Sequence, residues 1–281
     1  MMVNDYTETH SLLALQIDHS RVAGFLAAHW GNDEFDRPEP YTSIVLAAQE
    51  HDQGWWEWEL LPQLNDEGYP HDYISSVRNL GDGVWTSFMQ NGIDRLTARD
   101  PYAGLASQMH TEGLLTQGRG LLPYMPDFSK LPTVPEFLAR GRERQRELIA
   151  QLRDNERFAP YVTEEALERT FEYMEVFDQF GQFLCNRYPL NSTARKNGPS
   201  PTLSDTPVPT RAGQPTTRIT ITPLDESTAI VDPYPFDVDP LVVSFPVRAV
   251  PKGQYPDQQS FNEAFLRAER IIVTYTLKSN R

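Results

Sequence analysis

Three histidines and one aspartate stand on the apolar stripes of segments with helical periodicity: His19, His51, His110 and Asp178. The residues one or two turns away from each are mostly small or apolar, so all four side chains are directed at a core. A carboxylate buried there is costly unless a cation or strong donors compensate its charge. We therefore expect the four residues to converge on a divalent metal ion. A buried hydrogen-bond network without a metal is the alternative.

The adjacent pair His51-Asp52 strengthens this expectation. Neighbouring residues on a helix diverge by about 100°, but Gly54 follows the pair and predicts a helix end, where both side chains can reach one ion. Imidazole nitrogens combined with carboxylate oxygens suit Fe, Mn or Zn better than Ca or Mg. The predicted cofactor is a divalent transition metal, which would generate hydroxide near neutral pH or, as redox-active iron, bind oxygen.

Other side chains near these positions are candidates for support or for substrate contact. Gln182 lies one turn from Asp178 and, like Gln16, could orient a ligand of the metal. Trp55 follows the His51-Asp52 pair and is predicted to form a pocket wall, with ordinary packing as the alternative. Arg119 stands between two glycines and is a candidate for binding an anionic substrate group, with a structural role in a turn as the alternative.

The segments that must position these residues divide the chain into two regions. Helical periodicity prevails over 11–190, and residues 191–215 are rich in Pro, Ser and Thr, which predicts a linker or long loop. Short β-branched and aromatic runs then predict strands at 216–223, 228–236, 241–250 and 270–279. We expect a mainly α protein in which a helical domain spans 1–190 and a small β-rich region, 216–281, packs on it because its strands are too few for a core of their own.

Charge and composition exclude several partners. The 25 basic and 39 acidic residues give a net charge of −14, which disfavours nucleic acid and anionic membrane surfaces. The single cysteine, Cys185, excludes an intramolecular disulfide and a Cys-based zinc site. The N-terminal residues lack the pattern of a signal peptide, and no apolar run has the roughly 20 residues of a membrane span. The sequence therefore predicts a cytoplasmic protein whose partner is a small-molecule substrate.

Four sequence segments carry a resemblance to an uncharacterised bacterial protein family. They are QIDHSRVAGFLAAHWGN, AAQEHDQGWWEWE, DPYAGLASQMH and FDQFGQFLC. The resemblance extends over nearly the whole chain, including the β-rich end. It supports the site, because the segments contain its residues, but it implies no reaction.

The order of the candidate ligands also resembles the His-Asp (HD) superfamily of metal-dependent phosphohydrolases. In that superfamily an early His, a His-Asp pair and a late Asp hold a metal within a helical bundle. The resemblance implies an HD-like helical bundle in which His19, His51, Asp52 and Asp178 bind one metal. It implies for His110 an additional ligand role, contact with the substrate or assistance in proton transfer.

These observations lead to three hypotheses for function. The first is an HD-type metal-dependent hydrolase of a small molecule, phosphorylated or not, in which Asp52 and His110 are the catalytic residues beside metal-activated water. The second is an HD-type iron-dependent oxygenase, and the third is a non-catalytic ligand-binding or interaction protein with a vestigial site. Basic residues near the motifs are few, which weakens the case for a phosphate substrate.

Overall fold

The computed structural model describes residues 1–73, 76, 81–118, 127–192, 194–195, 198–199 and 207–280. The helices of these residues are α1 (Gln16–Ala28), α2 (Tyr41–Glu50), α3 (Trp56–Glu59), α4 (Asp82–Arg99), α5 (Pro101–Leu115), α6 (Val134–Arg153), α7 (Glu164–Cys185) and α8 (Gln258–Arg267). Short 3-10 helices lie at Gln53–Trp55 and Ala159–Tyr161. None of the helices in these ranges combines the length and the apolar character of a membrane span.

The strands come from both ends of the chain. They are β1 (Met2–Asp5), β2 (His10–Ala14), β3 (Ala194–Arg195), β4 (Gly198–Pro199), β5 (Pro207–Val208), β6 (Thr217–Arg218), β7 (Thr220–Pro223), β8 (Thr228–Asp232), β9 (Leu241–Pro251) and β10 (Glu269–Lys278). Six of them form a mixed sheet in the order β1-β2-β9-β10-β8-β7. Within it, β10 pairs parallel to β8 and antiparallel to β9. Two further antiparallel pairs join β3 to β4 and β5 to β6.

The prediction of a mainly α, HD-like helical bundle with a small β-rich C-terminal region is wrong. The six-stranded sheet includes the N-terminal strands β1 and β2, and β2 pairs with β9 from the far end of the chain, with Leu13 opposite Arg248. Four consecutive residues of β2, 11–14, are buried, so the strand lacks the alternation of a half-exposed sheet. A short apolar run of this kind cannot be distinguished from helix by its period, and its partner lies far away in the sequence.

Other predicted elements agree with the structure. The four predicted C-terminal strands are confirmed as β6–β7, β8, β9 and β10. Of the predicted linker 191–215, residues 193, 196–197 and 200–206 lie outside the described residues, and the rest includes β3, β4 and β5. The division into domains at 1–190 and 216–281 stays a prediction.

The helices that position the candidate site pack on one another and on the sheet. Helix α1 contacts α2, α7 and β9, and α5 contacts α2 and α7. Their shared core is apolar and includes Trp30, which is fully buried with its ring edge-on to Phe177 and Phe236. Helix and sheet therefore share one core, and α1 contacts both the strand β9 and the helices α2 and α7.

A close backbone contact fixes the turn that follows the His51-Asp52 pair. A Cβ atom on Gly54 would lie 1.8 Å from the carbonyl oxygen of Phe88, and one on Gly92 would lie 2.9 Å from the backbone nitrogen of Gly54. Both glycines are required because the 3-10 turn and α4 touch backbone to backbone. The crossing holds the turn, and with it Asp52, against α4.

Substitution Gly54→Ala is expected to lower the free energy of unfolding by about 2–3 kcal/mol or more, because the backbone of α4 must move to admit the methyl group. Denaturation in urea measures the change. Gly83→Ala is the matched control, since its Cβ would meet Thr133 Cγ2 at an ordinary 3.6 Å. Equal stability of the two variants would contradict the close contact.

Candidate metal centre

The structure brings together His19, His51, Asp52, His110 and Asp178 at one point in the helical layer. His19 lies on α1, the His51-Asp52 pair follows α2, His110 lies on α5 and Asp178 lies on α7. The imidazoles of His19, His51 and His110 are almost completely buried, and so is the carboxylate of Asp178. The convergence predicted from the apolar stripes is therefore present in the fold.

Asp178 is at the centre of the cluster. Its Oδ1 lies 3.1 Å from His19 Nε2 and 3.3 Å from His51 Nε2, and its Oδ2 lies 3.7 Å from His110 Nε2. Burial raises the pKa of Asp178, but its interactions with the surrounding histidines, His19 foremost, together outweigh burial and hold the pKa well below the ordinary value. The carboxylate is therefore ionised and is faced by a nitrogen from each of three histidines.

His51 presents a lone pair to the carboxylates. Its Nδ1 donates to the carbonyl oxygen of Ala48 at 2.8 Å, which leaves Nε2 as the unprotonated nitrogen of the neutral ring. That Nε2 is buried and lacks a hydrogen-bond partner among the described residues. It lies 3.4 Å from Asp52 Oδ2 and 3.3 Å from Asp178 Oδ1. Three electron-rich atoms so close together call for a positive charge between them.

His19 lies between two carboxylates. Its Nδ1 lies 3.1 Å from Asp52 Oδ2, and its Nε2 lies 3.1 Å from Asp178 Oδ1. Burial lowers the pKa of His19, but the hydrogen bonds to Asp178 and Asp52 prevail and raise it to about 10. The ring reaches this place because Gly181 has no side chain: a Cβ there would lie 2.9 Å from His19 Cδ2. The protonated ring supplies positive charge to the cluster in the absence of a metal.

A buried partner of His110 was not predicted from the sequence. Glu175 Oε1 lies 2.7 Å from His110 Nδ1, and both side chains are buried. Burial lowers the pKa of His110, but the charge and hydrogen bond of Glu175, with the charges of Asp178 and Asp52, together raise it above the ordinary value. Because Nδ1 holds its proton for Glu175, Nε2 is left facing Asp178 without a hydrogen-bond partner among the described residues. The available signal was the position of Glu175 three residues before Asp178, on the same face of α7.

Two glutamines and a tyrosine surround the carboxylates. Gln182 Nε2 donates to Asp178 Oδ2 at 3.1 Å, as its spacing predicts, and Tyr73 donates its hydroxyl to Gln182 Oε1 at 3.2 Å. Gln16 Nε2 donates to Asp52 Oδ2 at 3.3 Å. These bonds fix the directions of both carboxylates. The contact of Tyr73 with the site had no signal in the sequence, because Tyr73 and Gln182 are 109 residues apart.

The remaining predicted residues lie elsewhere or are not described. Trp55 is buried in a separate hydrophobic cluster with Trp85 and Phe137, and its ring packs on Phe88 at 5.4 Å between centroids. This placement matches the packing alternative for Trp55. Arg119 lies outside the described residues.

The cluster could hold a metal ion. His19, His51 and Asp178 each offer one ligand atom, and these atoms lie within 4.8 Å of one another. Two imidazole nitrogens and a carboxylate oxygen form a donor set that suits Fe, Mn or Zn. The hydrogen bond from His51 Nδ1 to a carbonyl fixes the tautomer that a ligand requires. Asp52, whose side chain is 14% exposed, lies beside His19 and His51 at the outer edge of the set.

The metal-free protein is expected to lose stability as the pH rises. The folded-state pKa of His19, about 10, lies above its ordinary value of 6.5, so its stabilising contribution is complete below pH 6.5 and is lost as the pH approaches 10. The quantity to measure is the difference in free energy of unfolding between chelator-treated wild type and His19→Gln. This difference should fall by up to about 1.4 kcal/mol per pH unit in this range. Urea denaturation at successive pH values measures it, and a difference that stays constant would contradict the bridging role.

Comparison with known proteins places the chain in a family. Neither the curated proteins nor the solved structures yield a match. The family described as "Protein of unknown function (DUF3891)" matches residues 1–252. The matched range runs from β1 through β9 and contains every residue of the cluster. The chain therefore belongs to the DUF3891 family.

Proposed function

We propose that this chain is a metal-dependent hydrolase of a small molecule, with one divalent Fe, Mn or Zn ion held by His19, His51 and Asp178. The observation that supports this most is the setting of His51: its Nε2 is buried, fixed as an electron-pair donor and directed at two carboxylates. A divalent metal ion would use the lone pair of Nε2 directly, and Nδ1 would keep its donor bond to the carbonyl oxygen of Ala48. The order of the ligands, which resembles that of the HD superfamily, supports the same reading.

A divalent ion bound here would polarise a substrate oxygen and lower the pKa of a bound water to near neutrality. The protein side chains supply the rest of the chemistry. Asp52 is the most exposed residue of the cluster and can accept a proton at its carboxylate while Gln16 and His19 hold it in place. It therefore suits the role of a base that receives the proton of an attacking water.

His110 is suited to the complementary role. Glu175 fixes the ring by accepting from Nδ1 and raises the pKa of His110, so that Nε2 can hold a proton and release it to a leaving group. Asp178, 3.7 Å from this nitrogen, further favours the protonated ring. The buried surroundings strengthen both interactions, because water does not screen them.

The purified protein should contain close to one equivalent of Fe, Mn or Zn per chain, and His51→Ala should lose it while the fold is retained. The loss follows because the variant removes one of three ligands. Elemental analysis measures the metal, circular dichroism reports the fold, and hydrolysis of a panel of chromogenic esters, amides and phosphate esters reports activity with and without the metal.

His10→Gln is the matched control, since His10 lies on β2 and its ring Nδ1 bonds to Thr9 Oγ1 at 3.0 Å, away from the cluster. It should keep both metal and activity. A wild-type protein that binds none of the three metals after reconstitution would contradict the proposal. If the protein contains iron and consumes oxygen but hydrolyses none of the test compounds, the oxygenase alternative replaces the hydrolase proposal.

A further inference from the structure

Gln16 is held at the edge of the cluster from two directions. It is the first residue of α1, and its backbone nitrogen donates to Glu59 Oε1 at 2.7 Å, while that of Ile17 donates to Glu59 Oε2 at 3.2 Å. Glu59 itself is buried. The start of the helix is therefore anchored on a carboxylate in the interior, and the base of the Gln16 side chain has little freedom.

The amide of Gln16 has only one favourable orientation. Its Nε2 donates to Asp52 Oδ2 at 3.3 Å, and a flip would place Oε1, an acceptor, against that carboxylate. Oε1 consequently points away from Asp52. It is buried and has no hydrogen-bond partner among the described residues. A buried acceptor without a donor is unfavourable, so this atom is poised to accept a hydrogen bond.

Two further unpaired atoms, on His51 and Gln53, are acceptors as well. With its Nδ1 engaged as a donor to Ala48, His51 presents its buried Nε2 as a lone pair. Gln53, which directly follows Asp52, also has a buried Oε1 without a partner among the described residues. The described part of the site thus offers electron pairs and negative charge to whatever enters it.

Basic side chains on the neighbouring elements are already engaged with carboxylates. Arg21 pairs with Asp18, Arg95 with Glu57 and Arg99 with Glu50. Among the described residues, Asp52, Glu175 and Asp178 form ion pairs with histidines and with no lysine or arginine. An incoming phosphate would add negative charge and further acceptors to such a site, which is the opposite of what the unpaired atoms require.

We propose that the substrate is a small neutral or cationic ester or amide that also presents an N–H or O–H group, and that Gln16 Oε1 accepts a hydrogen bond from that group. This inference rests on the proposed metal-dependent hydrolase and names its substrate class. Gln16 is therefore proposed to determine specificity, by distinguishing substrates that carry this donor from those that lack it. A site with an unpaired buried acceptor rejects an analogue that lacks the matching donor.

Two metal-directed probes that differ in one donor test the inference. Acetohydroxamate binds a metal through its oxygens and carries an N–H group, which N-methylacetohydroxamate lacks. In titration calorimetry of the metal-loaded protein, wild type should bind acetohydroxamate about tenfold more tightly than the methylated probe. Gln16→Leu should reduce this ratio to about twofold or less. The matched control Gln259→Leu, on α8, should keep the wild-type ratio, because its amide bonds only to Glu263.

The outcomes separate this inference from the proposal on which it rests. A protein that takes up no metal overturns both. Two results overturn the role of Gln16 alone. In the first, metal-loaded wild type binds the two probes equally. In the second, Gln16→Leu keeps the wild-type ratio of affinities, which shows that the ratio reflects only the bulk of the methyl group. Inorganic phosphate that binds more tightly than acetohydroxamate overturns the substrate class.

Discussion

Buried negative charge is the constraint that organises this protein. Asp52, Glu175 and Asp178 lie together in the helical layer, and three imidazoles face them. Burial of ionised carboxylates is tolerated only where cations or donors compensate for it. His19 does so by bridging Asp52 and Asp178, whereas His51 turns a lone pair toward the same atoms. The cluster could accommodate a further positive charge, and a divalent metal ion would supply it.

The fold meets this constraint by bringing four separate helical segments to one point. Strand β2 leads directly into α1, so the sheet fixes the origin of the helix that carries His19. Glycines make the close approaches possible: Gly181 admits the ring of His19, and Gly54 admits the backbone of α4 behind Asp52. The second layer of polar groups, Gln16 and Gln182, then sets the direction of each carboxylate. The close contacts between these helical segments therefore pack the core and also bring together the groups that compensate the buried carboxylates.

The sequence predicted the convergence of the site better than the architecture around it. His19, His51, His110 and Asp178 could be identified because each interrupts an apolar stripe, and helical periodicity is a local property. The sheet could not be identified in full, because β2 is buried on consecutive residues and pairs with β9 at the opposite end of the chain. The contact of Tyr73 with Gln182 has no local signal at all, because the two residues are 109 positions apart in the sequence.

The most direct test of a metal at this point is a crystal structure of the protein reconstituted with Mn, Fe or Zn, with anomalous diffraction data collected at the absorption edge of the added metal. If the cluster binds one metal ion, we expect one strong anomalous peak within coordination distance, about 2.0–2.2 Å, of Asp178 Oδ1, His51 Nε2 and a nitrogen of His19. A well-ordered site without such a peak, in which His19 still bridges Asp52 and Asp178, would show that the cluster is a hydrogen-bond network and would contradict the central claim.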